Sequence, residues 1–266
     1  MKAKKIKRWI QSWLKSQDIL VTRHSTQKRI LLEASSNAAQ DLALLQALPN
    51  ENAAMLLRHL RKSRSQLRQD LFVLSHLNFK TRGFFVEFGA TNGQDLSNTY
   101  LLEKEFAWGG VLAEPAKCWH RDLKKNRCSS IETSCVWRDS RSTLTFNEFS
   151  QPEFSTVEAY TNIDYHKKLE LREMNKSYNV ETISLYDMLL KHKAPSKIDY
   201  LSIDTEGTEF EILSAFDFSK YSFEIITCEH NFTPEREKIL KLLSHNGYKR
   251  VYTEFSKFDD WYVKSS

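Results

Sequence analysis

The sequence predicts an α/β fold, an open and mostly parallel sheet flanked by helices, and three observations carry that prediction. From Gly83 onward, short β-branched or aromatic runs alternate with helical stretches, the pattern of repeated βαβ units. One such run, Phe84 to Phe88, ends in an acid and a tight turn bearing Gly89 and Gly93, as strands that feed a ligand site do. The 266 residues, 41% hydrophobic and 12% aromatic, suit one buried core with an appendage, and show neither repeat nor low-complexity tract.

The appendage comes first, as a helical basic segment over residues 1–64. From Lys2 to about Leu20, Ile6, Trp9, Ile10, Trp13 and Leu14 share one helical face, with Lys4, Lys5, Lys7, Arg8 and Lys15 around it. A helix of this kind lies on an anionic membrane surface, docks on protein, or serves as a transit segment. Residues 27–48 and 52–77 read as further helices separated at Pro49-Asn50, with Arg58, Arg61, Lys62, Arg64 and Arg68 as a solvated face. Residues 1–80 hold 15 of the 39 Lys/Arg and 5 of the 34 Asp/Glu, a net of +10 that leaves −5 for the rest. The folded body is therefore mildly acidic, which disfavours nucleic acid as its partner.

The body, residues 65–266, is expected to carry strands at Phe84–Phe88, Gly110–Ala113, Ser130–Val136, Asp199–Ile203, Phe223–Cys228, Lys249–Glu254 and Trp261–Val263. The last two, joined through Ser256–Asp260, read as an antiparallel hairpin at the sheet edge. Between the third and fourth strands lies a long excursion with extra strands at Thr143–Phe149 and Tyr178–Ile183 and a helix over Ser184–His192, a place for substrate-specific structure. The four cysteines, at 118, 128, 135 and 228, form no C-x-x-C pair and read as reduced thiols. With no apolar run of eighteen residues and no signal-peptide core, the expected location is the cytoplasm, with residues 2–20 as a peripheral contact at the inner face of a membrane.

Chemistry concentrates at strand ends. A pyrophosphate-binding G-x-G-x-x-G starting at Gly89 would need glycine at 91 and 94, and Thr91 and Gln94 stand there instead. Glu87 would repel a phosphate but suits a cationic amino group, such as that of a methionine moiety. Glu114, at the tip of the second strand, can accept hydrogen bonds from both hydroxyls of an adenosine ribose, or cap a helix. The fourth strand runs into Asp204, Glu206 and Glu209 around Gly207, with Glu209 at the start of the next helix as a structural acid. The fifth ends in Glu229-His230-Asn231, in which His230 reads equally as structural or functional.

These segments, GFFVEFGATNGQDLSNTYLLEKEFAWGGVLAEP, IDYLSIDTEGTEFEIL and ITCEHN, in that order and spacing, resemble the FkbM family of methyltransferases over roughly residues 65 to 263. The resemblance implies a Rossmann-like class I methyltransferase, a seven-stranded mostly parallel sheet with an antiparallel C-terminal hairpin. It implies S-adenosylmethionine as methyl donor and O-methylation of sugars, glycans or natural-product hydroxyls. It places Glu87, Gly89, Ala90 and Gly93 on the cofactor turn, with Thr91 in place of the usual asparagine and Asn92 following. Glu114 falls on the ribose acid, and Asp204, Glu206 and Gly207 on the D-x-E-G element.

For transfer to a hydroxyl, His230 is the first candidate base, with Asp204 and Glu229 next. The grouped carboxylates instead suit a divalent metal such as Mg²⁺ acting as Lewis acid. The expected partner is a small-molecule or glycan acceptor. A catalytically silent methyltransferase fold, used as a binding module or membrane-associated scaffold, is the alternative, and it would have lost the glycine turn and strand-end acids that this sequence keeps.

Overall fold

In the computed structural model the described residues are 38–161 and 173–265. The expected amphipathic helix over residues 2–20 lies outside them, while residues 38–47 are helical as expected. The chain divides into two compact units, Met1–Ala47 and Leu48–Ser266, and the expected boundary at 64/65 falls inside the second. Among the described residues no helix is long and apolar enough to cross a membrane.

The expected helix over 52–77 is two helices, α1 (Asn50–Leu56) and α2 (Gln69–His76). Side chains between them bond locally instead of leaving the backbone to a helical ladder. Ser63 Oγ donates to Asp70 Oδ1 (2.7 Å), Asp70 N donates to Ser65 Oγ (3.2 Å) and Leu67 N donates to Gln69 Oε1 (2.9 Å). These bonds compete with the i→i−4 pattern, and the chain enters α2 through Arg68 at φ +68°.

Eleven strands follow among the described residues: β1 (Phe84–Phe88), β2 (Gly109–Ala113), β3 (Ser130–Glu132), β4 (Cys135–Trp137), β5 (Thr143–Phe149), β6 (Thr156–Val157), β7 (Met174–Ser184), β8 (Lys197–Ile203), β9 (Ser222–Glu229), β10 (Tyr248–Val251) and β11 (Asp259–Lys264). Seven make one sheet in the order β10-β11-β9-β8-β1-β2-β3, in which only the pairs made by β11 are antiparallel. The inner strands read as near-continuous apolar runs because both faces are covered. Val86, Leu201 and Ile226 lie in register across β1, β8 and β9, and share a core with Leu189 of α3 (Leu185–Lys191), Leu213 of α4 (Glu209–Ser214) and Leu243 of α5 (Glu235–His245). Helix α3 begins as expected, with Ser184 Oγ accepting from Asp187 N.

Two expectations change. Ser130–Val136 is not one strand: Thr133 N and Ser134 N both donate to Glu132 Oε1 (3.0 Å each), turning the chain out of the large sheet and into a second one, ordered β4-β7-β5-β6. The last antiparallel pair is present, but β10 ends at Val251. Tyr252, at φ +54°, starts a helical turn over Thr253–Ser256, so the expected strand over Lys249–Glu254 is cut short. Strand order reverses between β1 and β8, since β2 and β3 continue to one side and β9 to the other. That switch opens a crevice at the carboxyl ends of β1 and β8, where open α/β sheets bind ligands.

Candidate active site

The crevice begins with close approach. Gly89 has φ +71°, and a Cβ there would stand 1.9 Å from the Asp204 carbonyl oxygen, so only glycine lets the ends of β1 and β8 meet. Gly89 N and Ala90 N donate to Ala113 O, which ties the turn to β2 as well. Asn92 Oδ1 accepts from Gln94 N and Asp95 N (2.9 Å each), while Ala90, Asn92 and Gly93 stay behind the cavity wall and shape the turn. Of the expected turn residues, Glu87, Gly89 and Thr91 face the cavity.

Glu87 faces it with its oxygens already taken. They accept from Ser97 Oγ, Asn98 N (2.7 Å) and Thr99 Oγ1, and Arg127 Nη1 stands 3.5 Å away. Arg127 is fully buried and also binds Glu103 through Nε (3.1 Å). This Glu87–Arg127–Glu103 cluster, unseen in the sequence, makes Glu87 the brace of the 97–99 loop.

Glu114 is held from two sides, by Thr91 N on Oε2 and Ala116 N on Oε1, both at 2.8 Å. Each oxygen keeps a lone pair for a ligand on the cavity wall. Burial pushes the carboxyl up to about 7; the two backbone donors pull it down, while Asp204 and Glu148 push it further up.

Beyond β8 the chain folds tightly. Glu206 has φ +58°, Gly207 has φ +112°, and Thr156 Oγ1 of β6 donates to Glu206 O (3.0 Å). Glu209 Oε1 accepts from Thr205 N, Thr205 Oγ1 and Gly207 N, the structural role expected of it. Asp204, Glu206 and, from the end of β9, Glu229 thereby converge, with one oxygen of each within 4.8 Å of the others. Burial first, then the charges of Asp204 and Glu206, hold Glu229 well above the usual carboxylate range, and burial raises Asp204 to about 6 against the hydrogen bond it shares with Glu229. Both shifts run upward, in the manner of carboxyl pairs too close to ionise together.

His230 does not reach this group. Its backbone N donates to Phe258 O, its Nδ1 accepts from Phe232 N (3.0 Å), and its Nε2 faces Asp260 at 3.8 Å, away from the cavity. Burial lowers its pKa to about 4, against the pull of Asp260, whose charge Arg236 and Arg250 already hold. The imidazole thus does not line the cavity, where an acceptor-facing base was expected of it. Beyond the end of β9 the backbone turns at Asn231 (φ +42°), and Glu229 and Asn231 line the cavity while residue 230 does not.

The cavity is about 300 Å³, the lower end of small-molecule sites. Its far wall comes from the second sheet, through Val136, Phe146 and the 152–157 stretch, so the excursion after β3 does line the site. Seven carboxylates line it: the strand-end acids Glu87, Glu114, Asp204 and Glu229 with Glu206, and the loop acids Asp95 and Glu153. No lysine, arginine or histidine does so among the described residues. Gln66, Leu96, Asn98, Phe232 and Phe258 also line it and were not expected. They lie in loops, where no hydrophobic period marks a facing residue.

A sheet of this order, with its last strands antiparallel and an acid-lined crevice at the switch point, defines the S-adenosylmethionine-dependent methyltransferases of Rossmann-like fold. The chain belongs to the FkbM branch of that class: the methyltransferase FkbM domain model matches residues 87–250. Solved structures of similar shape include the precorrin-6y C5,15-methyltransferase of Geobacter metallireducens GS-15 (13% identity, TM-score 0.38, covering 73% of this chain and 87% of that one). Another is a TehB-like SAM-dependent methyltransferase of Corynebacterium glutamicum ATCC 13032 Kitasato (8% identity, TM-score 0.40, covering 81% and 97%). A fibrillarin/Nop5p complex matches at 14% identity and TM-score 0.34, covering 81% of each chain. No curated protein matches the sequence.

Proposed function

We propose that the chain moves a methyl group from S-adenosylmethionine to a hydroxyl oxygen of an uncharged small-molecule or glycan acceptor. The carrying observation is that seven acidic side chains and, among the described residues, no cationic one line the cavity. This lining complements a sulfonium and an ammonium, and it opposes phosphate-bearing dinucleotides and anionic acceptors alike. Glu114 takes the ribose hydroxyls, and the turn Gly89–Thr91 takes the donor's amino-acid end.

In the reaction the acceptor oxygen forms a bond to the methyl carbon as the carbon–sulfur bond breaks, its electron pair returning to sulfur. Asp204 takes the hydroxyl proton: it faces the cavity at the end of β8, and its pKa of about 6 lies close to working pH. The enzyme's main contribution is holding oxygen, carbon and sulfur in line while the second sheet excludes water.

The test is transfer of labelled methyl from S-adenosylmethionine to a panel of matched sugars, each offered neutral, phosphorylated or as the uronate. The expected outcome is an O-methyl ether on neutral members, located by mass spectrometry. Methylation confined to anionic sugars, or to amines, contradicts the acceptor class.

A further inference from the structure

We propose that Asp204, Glu206 and Glu229 form a hard divalent-cation site, for Mg²⁺ or Mn²⁺, at the floor of the cavity. One oxygen from each falls within 4.8 Å of the others, a spacing that a single ion between them would satisfy. Three carboxylates with no sulfur or imidazole donor select such an ion over softer metals.

A second observation points to a ligand. Glu229 is more than nine-tenths buried, and its Oε2 accepts no hydrogen bond. Two residues on, Asn231 is equally buried and faces the same cavity, and its side-chain nitrogen also lacks a partner. Buried polar atoms in native proteins are almost always satisfied, so two orphans on residues that line the cavity of the three converging carboxylates point to a ligand there. Turning the Asn231 amide over offers its oxygen as a fourth ligand. Among the described residues no lysine, arginine or histidine lies within ion-pair distance of Asp204 or Glu229, whereas Glu132, an acid outside the cavity, is paired with Lys191 (2.7 Å) and His192 (3.2 Å).

The ion's role rests on the methyl-transfer reading; its binding does not. In that role Asp204, Glu206 and Glu229 would hold the ion, which would supply Lewis acidity to lower the pKa of the acceptor hydroxyl.

Binding is measured on the full chain with Mn²⁺, by electron paramagnetic resonance of the free ion and by thermal unfolding with and without Mn²⁺, in the absence of donor. Expected are one bound ion per chain, a raised melting temperature, and a Kd weakened at least about tenfold in Glu229→Gln and in Asp204→Asn, since affinity follows ligand charge count. Both variants are near-isosteric and relieve the crowding of carboxyls, and the unfolding curve without Mn²⁺ shows that each is folded. Glu114→Gln is expected to keep the ion while losing donor affinity, measured with S-adenosylhomocysteine, and this separates the two sites. No Mn²⁺ bound by the unsubstituted chain, or equal binding by Glu229→Gln, overturns the proposal, and does so even where S-adenosylhomocysteine binds normally.

Discussion

Gly89 lies directly against Asp204: a Cβ on residue 89 would sit 1.9 Å from the Asp204 carbonyl oxygen, so the donor turn and the acid cluster are locked together by one missing methyl. Gly89→Ala combines that clash with a left-handed backbone at φ +71°. It is expected to cost at least ~1–2 kcal/mol of stability from the backbone alone. S-adenosylhomocysteine affinity is expected to fall with it. Urea unfolding and calorimetry on the same preparation check both.

Glu114→Ala removes an acceptor that two backbone donors have already oriented. Each lost hydrogen bond between ribose and this carboxylate is expected to weaken donor binding by about 1.5–3 kcal/mol. Calorimetric titration with S-adenosylhomocysteine measures it, and unchanged affinity removes Glu114 from the ribose site.

His230→Gln and Asp204→Asn separate the base from its neighbour. With the imidazole behind the wall, His230→Gln is expected to leave the shape of the pH–rate profile unchanged. Asp204→Asn is expected to reduce turnover by roughly 10²- to 10⁴-fold, the contribution of a positioned base. Loss of an ionisation from the profile in His230→Gln restores the imidazole to the mechanism.

Two buried acids set opposite slopes of stability against pH. Glu103, despite its burial, is held down at about 2 by Arg127 and the Ser129 and Cys128 donors. Its folded pKa lies below its unfolded one, so its contribution is present above about 4.5 and is lost as pH falls toward 2, on the order of 1 kcal/mol after solvent screening. Asp70 is raised to about 6 by burial, so it costs stability when ionised, and that cost disappears as pH falls from 6 toward 3.8. Asp70→Asn keeps the acceptor for Ser63 Oγ and Leu71 N, and is expected to stabilise the chain above pH 6 by ~1–3 kcal/mol. Unfolding curves of Glu103→Gln and Asp70→Asn across pH check both signs.

These pairs also show where sequence reasoning runs out. Strands β1 and β8 were legible because a buried parallel strand is an unbroken apolar run, and the acids that follow them mark the crevice. The break at Glu132 was not, because it depends on a carboxylate turned onto Thr133 N and Ser134 N and paired with Lys191 from far along the chain. The interruption of residues 52–77 hid for the same reason: Ser63 and Ser65 look neutral in a helix until Asp70 gives them a partner. His230 lay in a motif beside the site, and its outward aim depends on Phe258 and Phe232, contacts that no spacing encodes.

Residues 2–20 carry their own prediction, from sequence alone. If the tryptophan and isoleucine stripe lies on anionic lipid, removing these residues abolishes co-flotation with phosphatidylserine vesicles and leaves S-adenosylhomocysteine affinity unchanged. Loss of that affinity places the segment in the fold instead.

The central claim, that the acid-lined crevice is a site for the sulfonium donor, is tested most directly by calorimetric titration of the full chain with S-adenosylmethionine, S-adenosylhomocysteine and NAD. The predicted result is one site per chain for the first two, with the sulfonium bound at least as tightly as its uncharged product, and no heat for NAD. Saturable binding of NAD with none of S-adenosylmethionine would contradict it.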